Sequence, residues 1–159
     1  MDNKIYLDHN ATSPLLPEAQ TAMNDAAGKS IGNPSSPHWA GRDAKILLEE
    51  ARNSLATSLG AEPREIIFTS GGSESNNAVL RQIIVASGEQ HLITSTIEHP
   101  SVLETCRILA KQPNISLTEL PVDSSGLISP ESLKDEILSQ TTLISLMAAN
   151  NETGCMQPI

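Results

Sequence analysis

A chain of 159 residues has the length of one domain and enough material for a buried core. Its net charge of −9, from ten basic and nineteen acidic residues, argues against general affinity for nucleic acid or anionic membrane. No apolar run reaches membrane-spanning length, Met1-Asp2-Asn3-Lys4 opens no signal peptide, and Cys106 and Cys155 make neither a disulfide framework nor a Cys-x-x-Cys motif, so a soluble cytoplasmic protein is expected. Aromatic residues are only 2% of the chain, thin for a self-sufficient core, and hint at a part of something larger.

The elements are predicted in chain order as follows. A short strand, Ile5 to Asp8, precedes Pro14 and Pro17, and Glu18 to Ala27 reads as helix. Gly28 to Pro37 carries turn signals throughout. Between His38 and Leu59, Ala40, Ala44, Leu47, Leu48, Ala51, Leu55 and Leu59 recur at three- and four-residue steps, which predicts a long amphipathic helix stopped by Gly60. Strand and helix then alternate: strand Glu65–Thr69, helix Ser73–Ala86, strand His91–Thr96, helix Pro100–Lys111, strand Ile115–Leu120, a helix near Pro130–Ser139 that Ser129 can cap, and strand Thr142–Ala148. The apolar runs Ile66-Ile67-Phe68 and Leu143 to Met147 read as strands covered on both faces. This alternation predicts an α/β fold of three layers, a mostly parallel sheet with helices on both faces. Residues 1–62 are read as an N-terminal arm with helices and 63–159 as the alternating core.

Ligands of open α/β sheets bind beyond the carboxyl ends of the parallel strands. Three predicted ends carry unusual polar groups: Ser70-Gly71-Gly72-Ser73-Glu74, Ile97-Glu98-His99-Pro100-Ser101 and Asn150-Asn151-Glu152-Thr153-Gly154. A strand turning through two glycines into a helix leaves N–H donors at the positive end of the helix dipole, a site for phosphate or carboxylate. Glycine there admits an anion close to the backbone and tolerates the turn's dihedral angles. The same residues equally describe an ordinary turn capped by Ser70 or Ser73. Taken singly, His99 reads as a helix cap or solvated side chain, Asn150 and Asn151 as strand terminators, and Glu98 and Glu152 as surface charges. Their coincidence on one sheet edge favours a binding site. His91 falls at the opposite edge, and no His, Cys or Asp cluster has metal-ligand spacing.

Five ordered motifs resemble the N-terminal portion of cysteine desulfurases of the NifS/IscS type, in the class-V aminotransferase group. Tyr6-Leu7-Asp8-His9-Asn10-Ala11-Thr12-Ser13-Pro14 is similar to the opening Y-L-D-x-x-A-T-T-P, and Gly32-Asn33-Pro34-Ser35-Ser36 to the G-N-P-S-S loop. Phe68 to Asn77 resembles F-T-S-G-x-T-E-S-x-N, Glu98-His99 the E-H pair, and Asn150 to Gly154 the N-N-E-x-G segment. The resemblance implies part of the large domain of a fold-type-I pyridoxal 5′-phosphate enzyme, homodimeric in full-length form. Gly72 and Ser73 would bind the cofactor phosphate, with Ser73 standing where threonine is usual. His99 would stack on the pyridine ring and help move protons, Asn151 would lie beside the phenolic oxygen and substrate carboxylate, and Ala11 and Thr12 would border the substrate pocket. The implied reaction converts L-cysteine to L-alanine, leaves a persulfide on an enzyme cysteine and passes it to acceptors such as iron–sulfur scaffold proteins.

In that family the Schiff-base lysine, its Ser-x-His-Lys motif, the partner aspartate of the pyridine nitrogen, the loop cysteine and the substrate-binding arginine follow later in the chain. None of Lys4, Lys29, Lys45, Lys111 and Lys134 follows a strand at the binding edge. Cys155 corresponds to a small or apolar family position and Cys106 to a helix interior, so both read as structural. The 159-residue chain is therefore expected to be inactive alone. The other expectations are a selenocysteine lyase or another class-V pyridoxal-phosphate enzyme, or a non-catalytic half-domain that associates with a complementary chain.

Overall fold

The computed structural model describes residues 5–29, 31–82 and 88–158. Among them are α1 (Pro17–Lys29), α2 (Trp39–Leu59), α3 (Gly72–Arg81), β1 (Gln90–Ser95), α4 (Pro100–Leu109), β2 (Ile115–Leu120), α5 (Pro130–Glu136) and β3 (Thr141–Ile144). The chain divides into two compact units, residues 1–68 and 69–159. Among the described residues no helix is long and apolar enough to cross a membrane.

In the first unit α2 stops where the spacing predicts. Gly60 takes the left-handed conformation, φ 66°, and its N–H turns back to the carbonyls of Ala56 and Thr57. The side of α2 that is buried carries only small residues: Ala40, Gly41, Ala44 and Ala56. Their size lets the Gly32–Ser36 loop come close. A Cβ on Gly41 would lie 2.2 Å from the Ser36 carbonyl oxygen and 2.7 Å from that of Asn33. Both obstacles are backbone, so Gly41→Ala is expected to displace the loop and cost about 1–3 kcal/mol. Faster proteolytic cleavage within residues 32–37 checks this, and wild-type cleavage with an unchanged melt contradicts it.

Two predicted strands do not form. Residues 5–8 are irregular, and Pro63–Glu65 is a short 3₁₀ turn, in which the Glu65 carboxylate accepts the Glu62 N–H at 2.7 Å. Residues 66–69 carry no strand assignment and find no ladder partner among the described residues. Their β-branched composition favours extension, but a strand needs neighbours for its backbone groups. Ile67 is 80% exposed rather than covered. Arg52 of α2 anchors this segment instead. Its guanidinium donates to the Ile66 carbonyl, pairs with Glu49 at 3.2 Å and stacks over Phe68 at 5.0 Å from the ring centroid.

The second unit holds a parallel sheet in the order β2-β1-β3, with Leu92 opposite Leu117 and Leu143. All six residues of the central strand are buried. Successive strand residues point to opposite faces, so Leu92 and Ile93 each need a cover. Leu92 packs in a cluster with Leu80 of α3, Val102, Cys106 and Leu109 of α4, and Ile115. Ile93 packs with Leu120 and Ile128, supported by Leu133 of α5. Helices thus lie on both faces of a parallel sheet, the three-layer α/β arrangement. Burial, followed by the charges of Glu98 and Glu119, pushes the Cys106 thiol up, which keeps it neutral and inert in the core.

His91, at the amino end of β1, is buried and ties the sheet together. Its Nδ1 lies 2.9 Å from Thr141 Oγ1 and its Nε2 2.9 Å from Thr118 Oγ1. Helix α3 begins at Gly72 and is described to Arg81, and residues 83–86 of the predicted Ser73–Ala86 lie outside the described residues. Strand β3 is shorter than Thr142–Ala148, and Leu143 to Met147 is only partly covered, with Ile144 40% exposed. Beyond Ile144 one ladder bond remains, from Ser145 N–H to the Ile93 carbonyl at 2.9 Å. The next donor in register, the Met147 N–H, is taken by the Glu98 carboxylate at 2.8 Å.

Candidate functional site

The three polar clusters predicted at the strand ends all belong to the second unit. The first is the opening of α3. Gly71 is its N-cap residue and no side chain caps the helix, so neither Ser70 nor Ser73 acts as the cap. Ser70 is engaged elsewhere: its N–H and its hydroxyl both donate to Glu74 Oε2 at 2.6 Å. The N–H groups of Gly72 and Ser73 stay at the mouth of the helix, where no intrahelical carbonyl can receive them. Gly71 has φ 162°, extended backbone that any residue adopts, and Gly72 is helical. The glycines are thus not required by dihedral angles, contrary to the sequence-based expectation. Their contribution is space, since a Cβ on either would meet nothing within 4 Å. An open mouth with free donors and a positive dipole end fits a phosphate group.

Glu74 also gives this opening a pH dependence. The Ser70 hydroxyl and then the Ser70 N–H hold its carboxyl below the ordinary value of 4.5. A carboxyl lowered by folding stabilises the folded state above its unfolded pKa, and that contribution is lost as pH falls through the folded value. The α3 opening is therefore expected to loosen only under acid conditions below the ordinary glutamate range. An NMR titration of Glu74 checks this. A carboxyl titrating at or above 4.5 contradicts it.

The second cluster is the corner between β1 and α4. Glu98 is buried rather than a surface charge, and its Oε1 accepts from the Ser95 hydroxyl at 2.9 Å and from Met147 N–H at 2.8 Å. One carboxylate therefore ties the end of β1 to the segment following β3. His99 is the N-cap of α4 and Pro100 its first helical residue, a position that needs no N–H. The His99 Nδ1 lies 3.1 Å from the Ser101 N–H and 2.8 Å from Ser101 Oγ.

The third cluster is the loop after β3. The Asn150 carbonyl oxygen Oδ1 accepts from the N–H groups of Glu152 and Thr153, both at 2.9 Å, while its Nδ2 donates to the Ile97 carbonyl at 3.1 Å. Asn150 thus shapes the loop and fastens it to the β1 corner, leaving exposed Asn151 as its more accessible amide. The buried Gln157 closes the loop, accepting from Ile128 N–H at 2.9 Å and donating to the Gly126 carbonyl at 2.8 Å. Half-buried Cys155 stands beside Gly126, where a Cβ, if added, would lie 3.5 Å from its Sγ.

Between the second and third clusters lies a cleft of about 400 Å³, lined by Glu98, His99, Asn150, Asn151, Glu152 and Thr153. His99 and Asn151 therefore share one cleft at the carboxyl ends of adjacent parallel strands. Gly72 and Ser73 sit on α3, which a hydrogen bond joins to α4, from Asn76 Nδ2 to Ser101 Oγ at 2.9 Å. Ala11 and Thr12 belong to the first unit, where their N–H groups turn back to the Asp8 carbonyl at 3.2 and 3.4 Å and the Tyr6 hydroxyl bonds the Thr12 carbonyl. Sequence reasoning overlooked Asn76, Ser101 and the burial of Glu98. A serine two residues after a capping histidine was the one local signal available.

The family model described as Aminotransferase class-V matches residues 5–159. The chain is 45% identical to the cysteine desulfurase IscS of Dictyoglomus turgidum, over 100% of this chain and 41% of that protein. It is 38% identical to human selenocysteine lyase, over 99% of this chain and 40% of that protein. Among solved structures, a NifS-like protein superposes with a TM-score of 0.89 at 37% identity, covering 97% of this chain and 43% of the other. A structure described as SspA in complex with cysteine superposes at 0.88 and 37% identity, covering 96% and 44%. The chain spans about two fifths of the length of these relatives.

Proposed function

We propose, from the premise that this chain belongs to the class-V aminotransferase family, that it is the N-terminal portion of a pyridoxal-phosphate-dependent cysteine desulfurase. The observation that carries the reading is the placement of His99 and Asn151 in one cleft, with the open α3 mouth joined to His99 through Asn76 and Ser101. In this reading the N–H groups of Gly72 and Ser73, with the Ser73 hydroxyl, hold the cofactor phosphate. His99 lies against the ring and holds a proton at Nε2. Asn151 orients polar oxygens of cofactor and substrate, and Ala11 and Thr12 border the substrate pocket. The cofactor, when bound, supplies an electron sink for the substrate α-carbon. The protein's own contribution is to bind, orient and place protons.

The substrate is L-cysteine, with L-alanine as product and the sulfur passing to a protein thiol and then to an acceptor of the iron–sulfur scaffold kind. The same proposal carries a homodimer, a cytoplasmic location and the division into an arm of residues 1–62 and a core of 63–159. A selenocysteine-specific lyase is the second reading, supported by the 38% identity to the human enzyme.

The test compares two polypeptides, each with added pyridoxal phosphate. The 159-residue chain is expected to form no alanine from cysteine. The product of the reading frame extended to include a Ser-x-His-Lys segment and a cysteine-bearing loop is expected to form alanine and reducible sulfur. Alanine formation by the shorter chain, or turnover of selenocysteine alone by the longer one, overturns the proposal.

A further inference from the structure

We infer that Ser101 and Asn76 are positioning residues for His99, holding its imidazole as the tautomer with the proton on Nε2. The Ser101 backbone N–H, 3.1 Å from His99 Nδ1, can only donate, so Nδ1 must offer a lone pair. The Ser101 hydroxyl lies 2.8 Å from the same nitrogen, and its oxygen receives Asn76 Nδ2 at 2.9 Å. With the amide donating to Oγ, the hydroxyl proton is directed to Nδ1. The flipped amide would take that proton and leave two lone pairs facing each other across 2.8 Å, so the orientation of Asn76 is itself determined.

The relay joins two helices. Asn76 comes from α3, the helix whose opening carries Gly72 and Ser73, and Ser101 from the first turn of α4. Thr105 adds a bond from its hydroxyl to the Ser101 carbonyl at 2.8 Å. Without Asn76 and the Ser101 hydroxyl, the one hydrogen-bond partner left to the ring among the described residues would be the Ser101 N–H. For the chemistry, His99 has a single proton to deliver, and it sits on the nitrogen that the relay does not use. This consequence rests on the proposed role of His99 beside the cofactor. The tautomer itself rests only on the hydrogen bonds.

The test is heteronuclear NMR of isotopically labelled histidine in the 159-residue chain, which distinguishes protonated from unprotonated ring nitrogens. Wild-type His99 is expected to carry its proton on Nε2. Ser101→Ala and Asn76→Leu should each raise the minor Nδ1–H form by about three- to tenfold, the worth of one hydrogen bond. Ser101→Thr keeps the hydroxyl and should restore the wild-type pattern. Should Ser101→Ala fail to fold, half-buried Asn76 decides alone. An Nδ1–H ring in the wild type, or an unchanged ratio in the folded variants, overturns the inference. An Nε2–H ring in a chain that does not bind pyridoxal phosphate supports it while overturning the cofactor reading.

Discussion

Replacing Glu98 with alanine is expected to destabilise the second unit by about 2–4 kcal/mol, because it strips one buried and one half-buried donor of a charged acceptor. Those donors are the Ser95 hydroxyl and the Met147 N–H. For a unit of this size, residues 69–159, the melting temperature should fall by roughly 8–32 °C. The effect is also local in kind. Met147 N–H is the point at which the segment after β3 leaves the ladder, so its amide exchange should accelerate ahead of the β1 amides. Glu98→Gln keeps one oxygen on a side chain of the same shape and should lose about 1 kcal/mol. A melt for Glu98→Ala within ~1 °C of wild type, with Met147 exchange unchanged, would show that water in the adjoining cleft replaces the carboxylate.

What composition and spacing reveal of this fold depends on whether an element is stabilised by itself or by its neighbours. Strand β2 has the bounds its sequence predicts, and α2 ends at Gly60, because the signals for both are local. The run Ile66-Ile67-Phe68 has equally strong β propensity, yet its described surroundings offer it no ladder, and the guanidinium of Arg52 holds it instead. The open mouth of α3 is legible from Gly71-Gly72-Ser73, but the reason for the glycines is not. Only the observed φ of 162° shows that they supply room rather than a special turn. Glu98 illustrates the same limit for charge. Beside His99 it looks like a surface residue, and its burial follows from where the chain beyond β3 passes. Asn76 and Ser101 are 25 residues apart, and only the packing of α3 on α4 makes them partners.

Ser73→Asp should separate the proposed anion-binding role of the α3 mouth from its structural role, since the two respond with opposite sign. A carboxylate in the first turn of a helix interacts favourably with the dipole, so α3 should gain about 0.3–1 kcal/mol. The same carboxylate stands where a phosphate dianion would approach the N–H groups of Gly72 and residue 73. At about 5 Å and an effective dielectric constant near 20, repulsion of this kind is worth roughly 1–3 kcal/mol after partial screening, or about ten- to hundredfold in affinity. Equilibrium dialysis of pyridoxal phosphate and a thermal melt on the same protein read the two effects. Ser73→Ala is the milder companion: it removes one hydroxyl donor and should weaken binding by no more than about tenfold. Added pyridoxal phosphate should also raise the melting temperature of the wild type more than that of Ser73→Asp, because a ligand that binds only the folded state stabilises it in proportion to its affinity. Equal affinity in the wild type and Ser73→Asp would place the phosphate elsewhere on the chain, and no binding by the wild type would remove the cofactor from this half of the site.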